Sequence, residues 1–258
     1  MDTGAGDKEL GDLLVDLLVD RSKYDTRTIL QTVLNESFSV APKFTNDQLA
    51  ELSIIFMARY NLHNGIHSLD TFTTYLDKYI APFTILLSDK ASCYQHSEYA
   101  GCGSISVQSI TVGHYGVENY FQKQYPGIFS KGFQEEALRN RQINLDLDNP
   151  IFTQCLHNPN KQQIDAMNEQ SLRVRANELN ISEEEIPKLI ELNNSCLMNA
   201  DEIRQYLSDL RQYMQKVCDI WANSYMRNFI LTSVGIAIGH ANTKRQLGEF
   251  TDLAIWIN

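Results

Sequence analysis

The chain lacks any uncharged apolar run close to the roughly 20 residues that a membrane span requires. Its longest candidate, Ser233–Gly239, is far too short. A secretory leader is missing as well: no basic segment precedes an apolar one, and Asp12, Asp16 and Asp20 interrupt the first leucines. Base is in short supply, with 22 Lys and Arg against 32 Asp and Glu and a formal net charge of −10. That balance excludes broad, phosphate-driven nucleic-acid binding, which needs clustered cations. It suits a soluble protein and allows docking on a basic protein surface. Cysteine is sparse and odd in number, at positions 93, 102, 155, 196 and 218. No paired Cys-x-x-Cys spacing is present, so neither a disulfide framework nor a zinc knuckle is indicated, and the thiols are expected to be reduced. These absences together point to a cytoplasmic protein with no membrane or nucleic-acid role.

What is present is helical patterning. With 258 residues and 43% apolar content, the chain can bury a sizeable core as one large domain or two small ones. Met1–Gly6 is small and polar and is expected to lack fixed structure. Lys8–Arg21 places Leu10, Leu13, Leu14, Leu17 and Leu18 at helical spacing, with Glu9, Asp12, Asp16 and Asp20 on another face. The acidic row reads as a solvated face and a candidate interaction surface; no histidine accompanies it to suggest a metal site. A second helix is expected from Asp25, with Ile29, Leu30, Val33, Leu34 and Phe38 inward, stopped by Ala41-Pro42. Thr45–Gln48 has the form of a capping box and opens a largely buried helix to about Tyr60. Ser68 caps the next, which Pro82 kinks.

Ser88–Ser104 holds the densest reactive side chains: Cys93, His96, Glu98 and Cys102. Three readings stand side by side. Cys93, His96 and Cys102 are weak candidates for a metal site, to which Cys155 and His157 could contribute. Cys93 and His96 could form a nucleophile pair. The plainest reading is a helix end packed into the core, with buried thiols and a hydrogen-bonded histidine.

Ile105–Gly116 suits a short strand or a loop, and Ser130–Asn140 a short helix. The Asn-, Asp- and Pro-containing stretch 141–161 is expected to be a linker or long surface loop, dividing an N-terminal helical region, 1–140, from a C-terminal one, 162–258. Beyond it, Ser182–Glu185 and Asn199–Glu202 have helix-start chemistry. The second is expected to open the longest helix, to about Tyr225. Ile203, Leu207, Leu210, Met214, Val217 and Trp221 follow a heptad seam along it, suited to packing within the chain or to a homo-oligomer interface. The terminal stretch reads as strand Phe229–Leu231, a helix capped at Thr232 or Ser233 and ended by Gly248, and a second strand at Asp252–Ile257. Gly235 and Gly239, four apart, allow a close backbone approach. A winged-helix reading of this stretch founders on the lack of basic residues before it.

Three blocks, GDLLVDLLVDR (Gly11–Arg21), CYQH…YAGCGSIS (Cys93–Ser106) and LTSVGIAIGHAN…GEF-x-DLAIWIN (Leu231–Asn258), resemble an uncharacterised bacterial and prophage-borne family of helical proteins. The resemblance implies an accessory or phage-exclusion role and carries no catalytic residue and no cofactor. Many members carry an N-terminal extension rich in Gly, Asn and Gln, whereas this chain starts almost directly at its first helix.

The expected fold is therefore mainly α, a multi-helix bundle with a minor β element near the C-terminus. The expected function is a non-enzymatic, cytoplasmic protein–protein interaction factor that binds and disables a protein of an invading phage, for example a replication component. No cofactor is expected. Interaction candidates are Glu9, Asp12, Asp16, Asp20, Leu207, Leu210 and Met214. The alternatives are a Cys/His-centred enzyme or metal protein around 93–102, and an oligomeric scaffold through the 203–221 seam.

Overall fold

A computed structural model describes residues 3–23, 28–106, 116–248 and 250–257. In chain order its elements are α1 (Thr3–Ser22), α2 (Ile29–Val40), α3 (Asn46–Arg59), α4 (Leu69–Tyr75), a π-helical turn (Leu76–Ile80), α5 (Ala81–Thr84), α6 (Ala91–Tyr99), β1 (Gly103–Ile105), α7 (Val117–Gln124), α8 (Glu135–Asn140), β2 (Phe152–Cys155), β3 (Asn158–Ile164), α9 (Glu169–Glu178), α10 (Glu185–Ser195), α11 (Ala200–Leu210), α12 (Tyr213–Asn223), β4 (Phe229–Leu231) and α13 (Ser233–Leu247). The fold is mainly α, with two small two-stranded sheets among the described residues. The chain divides into two units. One comprises residues 1–62, 75–117 and 213–258; the other comprises 63–74 and 118–212.

The first unit is built on α3 against α13. Every residue of α3 from Gln48 to Ala58 is buried. Such a helix needs cover on all sides, and α13, α5, α6 and β4 supply it. The crossing with α13 is close because the facing position carries no side chain. At the crossing itself a Cβ on Gly239 would lie 2.8 Å from the Leu52 carbonyl; Gly235, a turn earlier on α13, instead faces the segment after α6, where a Cβ would collide with the Cys102 carbonyl. Asn242 Nδ2 then donates to Leu49 O (3.2 Å) and Ser53 Oγ (2.9 Å), so the polar part of the crossing is satisfied. Thr232 caps α13, its hydroxyl accepting from Gly235 N at 3.3 Å, and Gly248 ends it at φ +83°. α1 and α2 pack on the outside of α13. β4 pairs antiparallel with β1, Ser104 opposite Ile230.

The second unit has its own core, which includes Phe133, Ile143, Ile151, Phe152, Leu172, Ile186, Leu189 and Leu192. β2 and β3 form an antiparallel hairpin that sets Phe152 opposite Ile164. Phe72 on α4 meets Phe121 and Phe129 edge-on. Asn168 and Asn199 cap α9 and α11 through reciprocal side-chain and backbone bonds.

Several expectations require correction. The stretch 141–161 is no linker: it holds β2, places Ile143, Ile151 and Phe152 in the second unit's core, and buries Cys155 as well. The boundaries 1–140 and 162–258 therefore give way to the two discontinuous units. The long helix expected from Asn199 to Tyr225 is broken at Arg211, whose φ −148° and ψ 111° are extended. The heptad spacing runs on through the break, but α11 and α12 belong to different units. Ser182 caps no helix; α10 begins at Glu185, with Pro187 in its first turn. Asp252–Ile257 forms no strand, and β4 finds its partner in β1; the C-terminal stretch makes a 3₁₀ turn at Leu253–Ile255 instead. Ile29 and Phe38 on α2 are exposed, because Ser37 and Val40 take the inward positions. α1 is already helical at Thr3, within the stretch expected to be unstructured. The expected helix start at Asp25 and most of the 105–116 segment lie outside the described residues.

Candidate functional site

The reactive segment 88–105 is positioned by α3. The N-terminus of α3 is stitched to α6 by one side chain. Gln48 Oε1 accepts from Thr45 N at 3.2 Å, while Gln48 Nε2 donates to Cys93 O and His96 Nδ1, both at 3.0 Å. The donation leaves His96 Nδ1 as the acceptor and places the imidazole proton on Nε2. Cys93 Sγ lies 3.6 Å from Asp47 Oδ2. Burial, with Glu51 and Asp47 nearby, pushes the Cys93 thiol up to about 11. A thiol so disfavoured as thiolate is a poor nucleophile and a poor metal ligand. Glu98 Oε1 accepts from Ile105 N at 2.7 Å. Cys102 is fully buried, its thiol pushed up to about 12 by burial. Cys93, through its carbonyl, and His96, through its ring, are thus both tied to Gln48, while Cys102 is held in the core. Among the described residues, no three His, Cys, Asp or Glu side chains are grouped to hold a metal ion.

The same region contains a residue that the sequence reading missed. Glu51, one turn after Asp47 on α3, is buried with Oε1 unpartnered. Burial and the Asp47 charge raise its carboxyl to about 8, opposed by a hydrogen bond from the Ser88 backbone. A lone Glu within an apolar helix run was its only signal.

The acidic row on α1 is largely claimed from within. Lys244 Nζ lies 3.0 Å from Asp20 Oδ1 and 3.6 Å from Asp16 Oδ1, and Arg245 reaches Glu9 at 4.0 Å. Asp20 is buried, so the reading of a wholly solvated acidic face fails there; Asp12 alone of the four is exposed. Leu207 and Met214 are fully buried and Leu210 is half-buried, which removes the first two from any surface. Turning Asp16 and Asp20 toward α13 leaves apolar side chains on the outside. Leu13 and Leu17 are buried, but Val15, Leu18 and Val19 are 59%, 48% and 47% exposed. On α2, Ile29 and Phe38 are exposed as well, and Arg21 hydrogen-bonds Asn35 between the two helices. Such a two-sided apolar helix is visible in the sequence, since Val15 and Val19 interleave the leucines; what was not visible is which side faces out.

A polar cleft of about 430 Å³ is lined by Asp89, Asn223, Ser224, Tyr225, Arg227 and Asn228 among others. Its floor is held in place by Arg59, which donates to Met226 O at 3.1 Å and to Phe229 O at 2.7 Å while stacking on Trp221. One acid and one base on its walls give it no preference for a single sign of charge.

The chain is thus a mainly helical protein in which, among the described residues, no helix is long and apolar enough to cross a membrane. A family model described only as ":-like" matches residues 4–257, nearly the whole chain, and the chain belongs to that family. The description names no activity, substrate or partner. No curated protein and no solved structure matches the chain significantly.

Proposed function

We propose that this chain is a non-enzymatic protein–protein interaction factor whose docking surface is the outer face of α1 with the adjoining part of α2. The observation that carries the reading is the doubled apolar character of α1. Leu13 and Leu17 complete the fold, while Val15, Leu18 and Val19 remain in water, as does Phe38 on α2. Contiguous exposed apolar side chains of this kind mark interaction surfaces. Exposed Asp12 and Glu36 flank the face, and the chain is acidic as a whole, so the partner is a protein surface with apolar residues rimmed by Lys or Arg. The resemblance of the three sequence blocks to prophage-borne accessory proteins supports a role in phage exclusion in the cytoplasm, with a protein of the invading phage as partner.

The test places a photo-crosslinking residue at Val15 or Val19, and as a control at Val174 in the second unit, in cells under phage infection. A single phage protein captured from α1 and not from Val174, together with loss of exclusion in V15E/V19E at unchanged thermal stability, is the expected result. Full exclusion by the folded V15E/V19E variant overturns the reading.

A further inference from the structure

The C-terminal segment 250–257 lies across α3 and α13 as a strap, and its attachments converge on one histidine. His240 on α13 is buried, with Nε2 2.6 Å from Thr251 O. A carbonyl only accepts, so Nε2 carries the proton and Nδ1 is the bare nitrogen of a neutral ring. Nδ1 is buried and has no hydrogen-bond partner. Three rings surround the imidazole: Phe56 from α3 at 5.9 Å, and Phe250 and Trp256 from the strap at 5.3 and 5.6 Å between centroids. Phe250 and Trp256 stack on each other at 10°, and Trp256 Nε1 donates to Tyr60 O at 2.6 Å. Leu253 and Ile257 complete the strap's buried side.

We infer that His240 is an acid-sensitive latch: protonation at Nδ1 releases the strap 250–257 from α3 and α13 and bares the Phe56 and Tyr79 surface that Phe250 and Trp256 cover. A second ring proton at Nδ1 would be an N–H donor with no acceptor in a box of aromatic carbons, and leaving one buried is costly. Opening the strap returns the ring to water and removes that cost. Among the described residues, the charged groups that reach the ring are Asp20 from α1, Lys244 one turn along α13, and Asp252 on the strap itself, while α3 presents the Phe56 ring. Asp20 and Asp252 favour the imidazolium and Lys244 opposes it, but burial outweighs them, so the ring in the closed state holds its neutral form below the usual histidine range. The closed state is therefore fully favoured above about pH 6.5, the ordinary histidine value, and weakens as pH falls, the open-to-closed ratio rising up to about tenfold per pH unit until the closed-state ring itself protonates. This inference does not depend on the docking face of α1.

The test uses the full chain. Hydrogen exchange, corrected for the pH dependence of intrinsic rates, is followed by mass spectrometry in peptides covering 250–257 and 46–59 between pH 7.5 and 5. Protection of the strap should fall about tenfold or more toward pH 5 while that of α3 holds. His240→Gln, whose amide keeps a donor for Thr251 O and cannot titrate, should abolish the pH dependence. Should that variant fail to fold, the wild type answers by NMR. The chain has two tryptophans, and the Trp256 indole N–H signal should shift with the midpoint of the His240 ring. Unchanged strap protection across the range overturns the inference. So does a His240 titration that leaves the Trp256 signal in place, a pH dependence that survives in His240→Gln, or simultaneous loss of α3 protection, which would mean global acid unfolding.

Discussion

Lys244 Nζ on α13 lies 3.0 Å from Asp20 Oδ1 on α1, and Lys23 shares the same carboxylate oxygen at 2.7 Å. This two-cation clamp fixes α1 on α13 and so decides which side of α1 meets solvent. Burial alone would raise the Asp20 carboxyl; the hydrogen bonds from Lys23 and Lys244 overcome it and hold the group below the ordinary carboxylate range. A depressed folded value means that the clamp stabilises above the unfolded carboxylate pKa, about 3.9, and loses that contribution as pH falls further. Lys244→Ala should cost about 1–2 kcal/mol at pH 7, with Lys23 retaining part of the interaction. Urea denaturation at pH 7 and at pH 3 checks this, the difference from wild type shrinking at the lower pH.

Glu51 makes the opposite prediction. Its folded value of about 8 lies above the ordinary glutamate value of 4.5. A raised folded value means that stability is present below the unfolded pKa and is lost as pH climbs through the folded one. Glu51→Gln removes the titration. The variant should gain on wild type steadily from about pH 4.5 to 8, by a few kcal/mol in all, and level off beyond. Chemical denaturation at pH 5, 7 and 9 measures the trend; a constant difference would show that Glu51 is ionised in the folded protein.

The thiols differ in exposure. Cys93 and Cys102 are buried and pushed up to about 11 and 12, while Cys196 is half-buried beside Ser195. Iodoacetamide at pH 7.5 on native protein should therefore modify Cys196 well before either of the others. Peptide mass spectrometry at short times gives the order directly. Rapid labelling of Cys93 would reopen the nucleophile reading of the 93–102 segment.

Two glycines of α13 sit against backbone, Gly239 at the crossing with α3 and Gly235 against the segment after α6. Gly239→Ala must push its methyl toward the Leu52 carbonyl, and Gly235→Ala toward the Cys102 carbonyl, with backbone on the other side in both cases. Each should cost about 2–3 kcal/mol or more. In the seam that spans Arg211, Met214→Ala should cost about 2–5 kcal/mol as a core deletion. Leu210→Lys, by contrast, should leave the oligomeric state unchanged in light scattering.

How far these features could be read in advance depends on where each residue's partner lies. Thr45–Gln48, Asn199–Glu202 and Thr232 were legible because a cap is closed by residues three positions away. The Gly235/Gly239 pair was legible as a close approach because only glycine permits one. The acidic row of α1 was misjudged because its partner, Lys244, is 224 residues distant from Asp20. The heptad seam misled for a different reason. Apolar spacing records which residues are buried, and Ile203, Leu207, Met214, Val217 and Trp221 all are. It does not record the extended backbone at Arg211 that assigns them to two cores. Stretch 141–161 looked like a linker because Asn and Pro dominate its polar side, while the inward Ile151, Phe152 and Cys155 are spaced too irregularly to signal a hairpin. At the candidate site, Cys93 and His96 were visible, but the residues that define their chemistry, Asp47, Gln48 and Glu51, belong to another helix.

The α3–α13 crossing also has a consequence in time. Ser53 meets Gly239 across 186 residues of chain. During synthesis, α3 emerges with every side chain from Gln48 to Ala58 committed to burial, and most of the polypeptide must follow before α13, which packs on it most extensively, exists. At ribosomal rates of roughly 5–20 residues per second, that interval lasts on the order of ten seconds or more. For that interval the face of α3 that α13 covers stays open to solvent.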